Sequence, residues 1–270
     1  MSDARSRPPA DPVVHTDVVY TRDGLRRQRL DIYEPLPERP AVPAPVVLFF
    51  HGGSWLHGDK ITIRIIDRFL MRMRRQGLFV IAVNYTTSPV KGIGGTVENA
   101  GRATAWAARN AQRYGWDPRR LVVYGVSAGG HLALSVAAQF SVPGARIAGV
   151  LAECAPSDLI AMRDGEAHDR SGALRLFPEQ RLRELSPIRR IHAGYPPVLM
   201  LHGGDDRIVD IQQSRRLKSA LESLDVPVEL YEYPDGDHAF LNLDDSVWYQ
   251  QESVALDWLQ RTVHSRGEPP

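Results

Sequence analysis

The feature that most constrains the fold is a regular alternation of short apolar segments with longer segments of helical length. Apolar runs without polar alternation are typical of strands that are covered on both faces of a sheet. Strands that alternate with helices predict a mostly parallel sheet with right-handed crossover connections. The predicted strands are VVLFF (46–50), LFVIAVNY (78–85), RLVVY (120–124), RIAGVLA (146–152), PVLMLH (197–202) and VELYEY (228–233), and the predicted helices cover 61–76, 97–114, 128–140, 211–224 and 248–264.

The N-terminal part of the chain precedes this alternation. Residues 1–12 are polar and rich in proline, and we expect a disordered tail over residues 1–16. The segments TDVVYT and QRLDIYE predict an antiparallel pair of strands around a turn at Asp23 and Gly24. A length of 270 residues suits one large α/β domain, which we place at residues 17–264.

One segment between two predicted core strands, residues 153–196, has many charges and no strand pattern. It is too long for an ordinary connection between neighbouring elements. Because ligands bind at the carboxyl ends of the strands in open α/β sheets, we interpret the segment as a small lid over those ends. The alternative is a surface excursion that does not contact the substrate.

Composition and charge exclude several classes of function. The net charge is +1, so no strong field attracts nucleic acid or an anionic membrane. A lone cysteine, Cys154, excludes an internal disulfide and a cysteine-rich zinc site. The N-terminus has no apolar signal-peptide core, and VVLFF is too short to cross a bilayer. We therefore expect a cytoplasmic protein without nucleic-acid or membrane partners, and we make no prediction of its oligomeric state.

A serine surrounded by small residues lies in the stretch VVYGVSAGGH, residues 122–131. Ser127 comes where a predicted strand turns into a predicted helix, with Gly125 and Gly129 on either side. Such a tight turn brings backbone close to backbone, where glycine avoids a collision and tolerates strained dihedral angles. The G-x-S-x-G pattern predicts a nucleophilic serine, and the alternative is a serine that only caps the helix.

Other polar clusters follow predicted strands in the same way, and they supply the partners that a nucleophilic serine needs. Backbone N–H groups beside two glycines can bind the oxyanion of an acyl-transfer reaction, and an acid and a histidine can activate the serine. Serine, acid and histidine occur in the chain order expected for an α/β-hydrolase. The three clusters are HGGSW (51–55), HGGDD (202–206) and DGDH (235–238).

At these residues the chain resembles the α/β-hydrolases of the hormone-sensitive-lipase-like esterase group, and within it the small feruloyl-esterase-like (BD-FAE) and arylformamidase-like branch. HGGSW with GDK (58–60), GVSAGGH, HGGDDRIV and DGDHAF match in type, order and spacing between about residues 17 and 262. The resemblance implies an α/β-hydrolase fold with helices on both faces of a central sheet. It also implies a serine hydrolase that cleaves carboxylic esters through an acyl-serine intermediate.

Some features depart from the pattern of that group. Ser54 stands where lipase-like members usually have a third glycine. NYTTSP (84–89) stands where that group commonly has NYRLAP, so this chain lacks the arginine of a possible salt bridge. Residues 1–45 show no long amphipathic helix like those in the cap of larger members. We therefore expect an open entrance and a preference for short to medium acyl groups.

The candidate site residues have distinct roles. We assign Ser127 as the nucleophile and His238, one of nine histidines, as the general base. Asp205, Asp206 and Asp210 crowd one loop, and the H-G-x-x-D register of the resembled group selects Asp206 as the acid that orients the histidine.

Backbone N–H groups and one aromatic side chain complete the candidate site. The predicted oxyanion hole consists of the N–H groups of Gly53, Ser54 and Ala128, and Ala128 begins a helix whose dipole favours negative charge. Trp55 is interpreted either as a lining residue of the substrate pocket or as core packing.

Two other functions stay open from the residues alone. HGG-x-W resembles the entrance motif of arylformamidases, which cleave a formamide such as N-formylkynurenine. A non-catalytic ligand-binding protein of this fold is the second alternative, although such proteins tend to have lost the base. The sequence contains no P-loop, no G-x-G-x-x-G and no histidine pair on a helix, so we expect neither a metal nor a nucleotide cofactor.

Overall fold

The central element is one sheet of eight strands, found in a computed structural model that describes residues 13–21, 27–36, 43–64, 67–86, 92–165 and 173–264. The strands are β1 (Val13–Val19), β2 (Arg29–Tyr33), β3 (Ala44–Phe50), β4 (Phe79–Val83), β5 (Trp116–Val126), β6 (Ile147–Glu153), β7 (Val198–Gly203) and β8 (Val228–Tyr233). Their order across the sheet is β1-β2-β4-β3-β5-β6-β7-β8. The pairs β1–β2 and β2–β4 are antiparallel, and all other pairs are parallel.

Helices alternate with the parallel strands, so the predicted fold class is confirmed. The helices are α1 (Asp67–Arg75), α2 (Gly92–Tyr114), α3 (Ala128–Gln139), α4 (Leu159–Asp164), α5 (Glu179–Leu185), α6 (Gln212–Glu222) and α7 (Asp245–His264). Within the part of the chain that the structure describes, none of them combines the length and the apolar character that crossing a membrane requires.

The starts of α1 and α2 differ from the prediction for local reasons, and α7 begins at Asp245 instead of the predicted residue 248. Residues Lys60–Arg64 form a short 3-10 turn, and α1 begins only at Asp67, because the β-branched residues of this turn disfavour an α-helix. Helix α2 begins at Gly92, before the predicted residue 97, although glycines weaken its first turn. Burial of Ile93 against the core accounts for this earlier start.

The start of the domain also differs from the prediction. Strand β1 begins at Val13, whose partner across the antiparallel pair is Tyr33. The prediction that a disordered tail extends to residue 16 is therefore wrong for residues 13–16, because pairing with β2 orders them. Residues 1–12 and the predicted turn at Asp23 and Gly24 lie outside the described residues.

Strand β3 lies inside the sheet and is buried along its whole length. Because side chains alternate between the two faces of a strand, Val46, Leu48 and Phe50 pack in one core cluster with alanines of α2 and α3. Val47 and Phe49 pack in a second cluster with residues of α1 and α7. This double coverage explains why VVLFF has no polar alternation.

The segment 153–196 connects β6 to β7 through α4, α5 and two short 3-10 turns. Its leucines Leu159, Leu174 and Leu182 are fully buried and belong to the core cluster that includes α2 and α3. The described part of this insertion is therefore packed on the domain. Its role as a lid stays a prediction, and residues 166–172 lie outside the described residues.

Helix α3 lies directly against the end of β3 because Gly129 has no side chain. A Cβ atom on Gly129 would lie 2.0 Å from the carbonyl oxygen of Phe50 and 2.5 Å from that of His51. Such distances are far below van der Waals contact, so a larger residue requires a backbone shift. By contrast, a Cβ atom on Gly101 in α2 would have no neighbour within 4 Å.

We expect Gly129→Ala to lower the free energy of unfolding by about 1–3 kcal/mol or more, because its Cβ overpacks a rigid backbone contact. Gly101→Ala is the matched control, and it should raise the free energy of unfolding by about 0.4–1 kcal/mol through reduced backbone entropy. Urea unfolding measures both changes. Equal free energies for the two variants would contradict the close contact between α3 and β3.

Candidate active site

Ser127 occupies the sharp turn between β5 and α3, with φ 55° and ψ −122°. Its N–H donates to the carbonyl oxygen of Glu153 on β6 at 2.8 Å. A Cβ atom on Gly125 would lie 2.2 Å from the carbonyl group of Gly129, so the glycines at these positions permit the turn. The side chain of Ser127 makes no capping hydrogen bond to α3, and the alternative of a capping serine is therefore not supported.

The side chains of Ser127, His238 and Asp206 form a continuous hydrogen-bonded chain. Nδ1 of His238 lies 2.8 Å from Oδ2 of Asp206, and Nε2 of His238 lies 3.0 Å from Oγ of Ser127. Because a carboxylate only accepts hydrogen bonds, Nδ1 bears the proton and donates to Asp206. With its proton on Nδ1, the imidazole base has a lone pair on Nε2 that accepts from the Ser127 hydroxyl.

Asp206 is buried, yet several donors stabilise its negative charge. Its Oδ1 accepts hydrogen bonds from the N–H groups of Ile208 and Val209, both at 2.9 Å. Burial by itself raises the pKa of Asp206, but the hydrogen bonds from His202 and His238 outweigh it and hold the pKa well below its usual range. The carboxylate is therefore ionised at neutral pH.

The other two aspartates of this loop have different partners. The carboxylate of Asp205 lies at the surface and pairs with Arg207 at 3.1 Å. Oδ1 of Asp210 accepts from the N–H of Gln212, the first residue of α6, at 2.8 Å. The structure thus brings Asp206 to His238, and it directs Asp205 and Asp210 elsewhere.

The HGGSW segment passes directly beside the serine. A Cβ atom on Gly52 would lie 3.6 Å from Cβ of Ser127. Gly53, Ser54 and Trp55 all have positive φ, at 121°, 50° and 61°, and this tight loop is closed by the N–H of His57, which donates to the carbonyl oxygen of Gly53 at 3.0 Å. We name residues 51–57 the oxyanion loop, because it contains Gly53 and Ser54, two of the residues whose amides are predicted to form an oxyanion hole.

Ala128 lies on the other side of the serine as the first residue of α3. The first N–H groups of a helix have no acceptor within the helix, and the helix dipole adds partial positive charge there. The assignment of the Gly53, Ser54 and Ala128 amides to an oxyanion hole stays a prediction at this point.

Two of the GDK residues, Asp59 and Lys60, follow the oxyanion loop in the chain and bind residues of β2 and of the segment after β4. Nζ of Lys60 lies 2.8 Å from Oδ2 of Asp31 on β2. The amide nitrogen of Asn84 donates to Oδ2 of Asp59 at 2.9 Å, and the Lys60 N–H donates to the side-chain oxygen of Asn84. Asn84 was not among the predicted site residues, although its place near the end of a predicted strand was a usable signal.

Two histidines that precede glycines, His51 and His202, brace the loops around the site. The ring of His51 stacks on Tyr85 with centroids 4.2 Å apart, and the Tyr85 hydroxyl donates to the His51 carbonyl oxygen at 2.6 Å. Burial lowers the pKa of His51 to about 4, so the ring is neutral. In the loop that carries Asp206, Nε2 of His202 donates to the carbonyl oxygen of Val209 at 2.8 Å. Tyr85 was also missed by the sequence analysis.

Trp55 lies in the packed interior and is only 3% exposed. Its indole N–H donates to Nδ1 of His131 at 3.2 Å. The core-packing interpretation of Trp55 describes this position better than the pocket interpretation.

One group of side chains has a spacing that could suit a metal ion. Cys154, His202 and Asp206 have potential ligand atoms within 4.8 Å of one another. However, Asp206 binds His238, and both ring nitrogens of His202 are engaged, Nε2 with Val209 and, at 3.4 Å, with Asp206, and Nδ1 with a serine hydroxyl. Burial also raises the pKa of the Cys154 thiol. The donor set therefore fits a hydrogen-bonded support for Asp206 better than a metal site.

Together, the mostly parallel sheet and the order of serine, aspartate and histidine after its strands define an α/β-hydrolase. More narrowly, the chain belongs to the BD-FAE family, whose model matches residues 30–221. The matched segment contains Ser127 and Asp206 and ends before His238. The resemblance to the feruloyl-esterase-like branch is confirmed, and the closeness to arylformamidases stays a prediction.

Individual relatives agree with this membership. The chain is 28% identical over 240 residues to the esterase LipC of Mycobacterium tuberculosis, covering 80% of this chain and 58% of LipC. It is 26% identical over 260 residues to a probable isoprenylcysteine α-carbonyl methylesterase, ICMEL1, of Arabidopsis thaliana, covering 87% of this chain and 53% of the relative. The chain thus spans little more than half the length of these two curated relatives.

A solved structure resembles the chain over nearly all of both molecules. This thermophilic esterase, Est2 of the Planctomycetes species Thermogutta terrifontis, aligns with a TM-score of 0.74 and 25% identity, and the alignment covers 98% of this chain and 99% of Est2.

Proposed function

We propose that this protein hydrolyses carboxylic esters, with Ser127 as nucleophile, His238 as general base and Asp206 as the acid that orients it. The observation that carries this proposal is the chain of two hydrogen bonds from Oγ of Ser127 through His238 to Asp206, 3.0 and 2.8 Å long. The names of the relatives, esterase and methylesterase, support the same reaction class.

In the acylation half of the proposed reaction, Oγ of Ser127 attacks the carbonyl carbon of the ester. Nε2 of His238 takes the hydroxyl proton as the bond forms, and the ionised Asp206 stabilises the resulting imidazolium. His238 then returns the proton to the departing alkoxide oxygen, and the carbon–oxygen bond breaks. The alcohol leaves, and the acyl group stays bound to Ser127.

Deacylation repeats these steps with water. His238 takes a proton from the water molecule, the hydroxide oxygen attacks the acyl carbon, and the proton passes to Oγ of Ser127 as the acid is released. In both halves the former carbonyl oxygen carries negative charge. The amides of Gly53, Ser54 and Ala128 would stabilise this charge, because Ala128 directly follows the serine and Gly53 and Ser54 directly follow Gly52, which lies beside it.

The proposed substrates are esters with short to medium acyl groups. A long acyl chain gains about 0.8 kcal/mol per buried methylene, and it needs an extended apolar trench to do so. In the described part of the insertion, Leu159, Leu174 and Leu182 are buried in the core, so these side chains are not free to line such a trench. A formamide is the alternative substrate. A non-catalytic function is disfavoured because both His238 and its contact with Ser127 are present.

We expect Ser127→Ala to abolish ester hydrolysis, because without the nucleophile only binding and oxyanion stabilisation remain, about 10³–10⁴-fold over the rate in water. Turnover of p-nitrophenyl butyrate measures the loss. Ser157→Ala is the matched control: it removes another buried hydroxyl, which donates to the carbonyl oxygen of Gln213 in α6 at 2.7 Å. Near-normal turnover by Ser127→Ala would overturn the assignment of the nucleophile.

Asp206→Asn should lower kcat far more than Asp205→Asn does. An asparagine at residue 206 stabilises the wrong histidine tautomer, a loss of about 10⁴-fold in the best-known serine protease. Asp205 pairs only with the exposed Arg207 in this loop, so its variant should keep kcat within about twofold, in line with the small energy of a surface ion pair. A larger loss at Asp205 would show that the acid has been misassigned.

Across p-nitrophenyl esters of increasing acyl length, we expect kcat/KM to be highest for acyl groups of about two to six carbons. It should be lower for a ten-carbon acyl group, because little apolar surface is available to bury the added methylenes. N-formylkynurenine serves as the competing substrate in the same assay. A profile that still rises at ten or twelve carbons would contradict the open entrance. Rapid turnover of N-formylkynurenine, with all esters slow, would favour the formamidase alternative.

A further inference from the structure

One buried imidazole joins three segments that are far apart in the chain. The indole N–H of Trp55, in the oxyanion loop, lies 3.2 Å from Nδ1 of His131 in α3. Nε2 of the same ring lies 2.9 Å from the carbonyl oxygen of Leu185, the last residue of α5 in the insertion. The rings of Trp55 and His131 meet edge to face, with centroids 5.4 Å apart. His131 is fully buried.

The partners of His131 define its tautomer. An indole nitrogen is only a donor and a carbonyl oxygen is only an acceptor. Nδ1 must therefore accept from Trp55, and Nε2 must bear the proton that it donates to Leu185. Burial lowers the pKa of His131 to about 4, so this neutral form persists at neutral pH. A second proton on Nδ1 would oppose the indole N–H and break the bond to Trp55.

His131 is also tied to the nucleophile. It lies one helical turn after Ser127, and its backbone N–H donates to the carbonyl oxygen of Ser127 at 3.0 Å. Trp55 directly follows Gly53 and Ser54, whose amides are the proposed oxyanion donors. The bond between the two side chains therefore joins the turn that carries the nucleophile to the loop that carries the donors.

We propose that Trp55 and His131 are positioning residues that hold the amides of the oxyanion loop at the correct distance from Ser127. The inference rests on the proposed function, because the amides matter only if an oxyanion forms. Trp55 has a positive φ of 61°, a conformation that costs energy in a bulky residue and persists only where the surroundings enforce it. The bond to His131 supplies such an enforcing contact.

The two roles of Trp55, core packing and positioning, predict different kinetics. An oxyanion hole acts on charge that develops in the transition state, so its misplacement lowers kcat and leaves KM nearly unchanged. Loss of one oxyanion donor lowers kcat by about 10²–10³-fold, and a displaced donor should cause a smaller part of this loss. A residue that only fills the core would change stability and leave both constants of the folded enzyme unchanged.

The test compares Trp55→Phe with Trp116→Phe. Trp116 is equally buried, and its indole N–H donates to the carbonyl oxygen of Ala107 at 2.9 Å, in a part of the core formed by α2 and β5. Both variants lose one buried indole hydrogen bond, so both should lower Tm. We expect Trp55→Phe to lower kcat for p-nitrophenyl butyrate about tenfold or more with KM within twofold, and Trp116→Phe to leave both constants unchanged. Unchanged kcat in Trp55→Phe would overturn the proposal.

A burst experiment separates this proposal from the proposed function. Diethyl p-nitrophenyl phosphate should phosphorylate Oγ of Ser127 and release one equivalent of p-nitrophenolate, with the phosphoryl oxygen in the oxyanion hole. If the unmodified protein gives no burst, the proposed function fails. If it gives a burst and Trp55→Phe reacts at the same rate, the function stands and the positioning role fails. A rate about tenfold lower in Trp55→Phe supports both.

Substitutions of His131 show which of its two bonds matters. In His131→Asn the side-chain oxygen can take the position of Nδ1 and accept from Trp55, whereas in His131→Gln the amide nitrogen can take the position of Nε2 and donate to Leu185. We expect the asparagine variant to keep kcat within about threefold and the glutamine variant to lose about as much as Trp55→Phe. A larger loss of kcat in the asparagine variant than in the glutamine variant would overturn the role of the Trp55 bond. It would assign the positioning role to the bond between His131 and Leu185 of the insertion.

Discussion

The site depends on one strained backbone turn, at Ser127. Its dihedral angles, φ 55° and ψ −122°, are costly for a residue with a side chain and persist only where the surrounding structure enforces them. The hydrogen bond from its N–H to Glu153 on the neighbouring strand and the close approach of Gly129 to Phe50 supply this enforcement. In this conformation Oγ of Ser127 lies 3.0 Å from Nε2 of His238, and Gly52 of the oxyanion loop lies beside the serine.

Burial sets different electrostatic states for groups that lie close together in the site. Asp206 is buried but stays ionised, because backbone and imidazole donors outweigh the loss of water around its carboxylate. His51 and His131 are buried without a carboxylate in hydrogen-bond contact, and burial lowers their pKa values to about 4. The histidine that contacts both an acid and the serine is His238. Its hydrogen-bond partners therefore distinguish it from the histidines that brace the loops.

Structural support for the site comes from elements that carry none of the proposed catalytic side chains. Lys60 and Asn84 hold the residues that follow the oxyanion loop to β2 and to the end of β4, and His131 links Trp55 of the loop to α3 and α5. The imidazole of His131 thereby couples the insertion to the oxyanion loop. Through Leu185, the insertion therefore has a structural connection to the proposed active site that does not require it to cover the substrate.

The sequence by itself determined the layers of the fold and the order of the site residues, because apolar runs and glycine-flanked turns report local backbone requirements. It predicted Ser127 and His238 as nucleophile and base, and the family register selected Asp206 among three neighbouring aspartates. It did not separate the pocket and core interpretations of Trp55, and it missed Asn84 and Tyr85. These depended on partners distant in the chain, such as His131, 76 residues from Trp55. Only the tertiary structure decided them, because hydrogen bonds between distant segments leave no periodic pattern in the sequence.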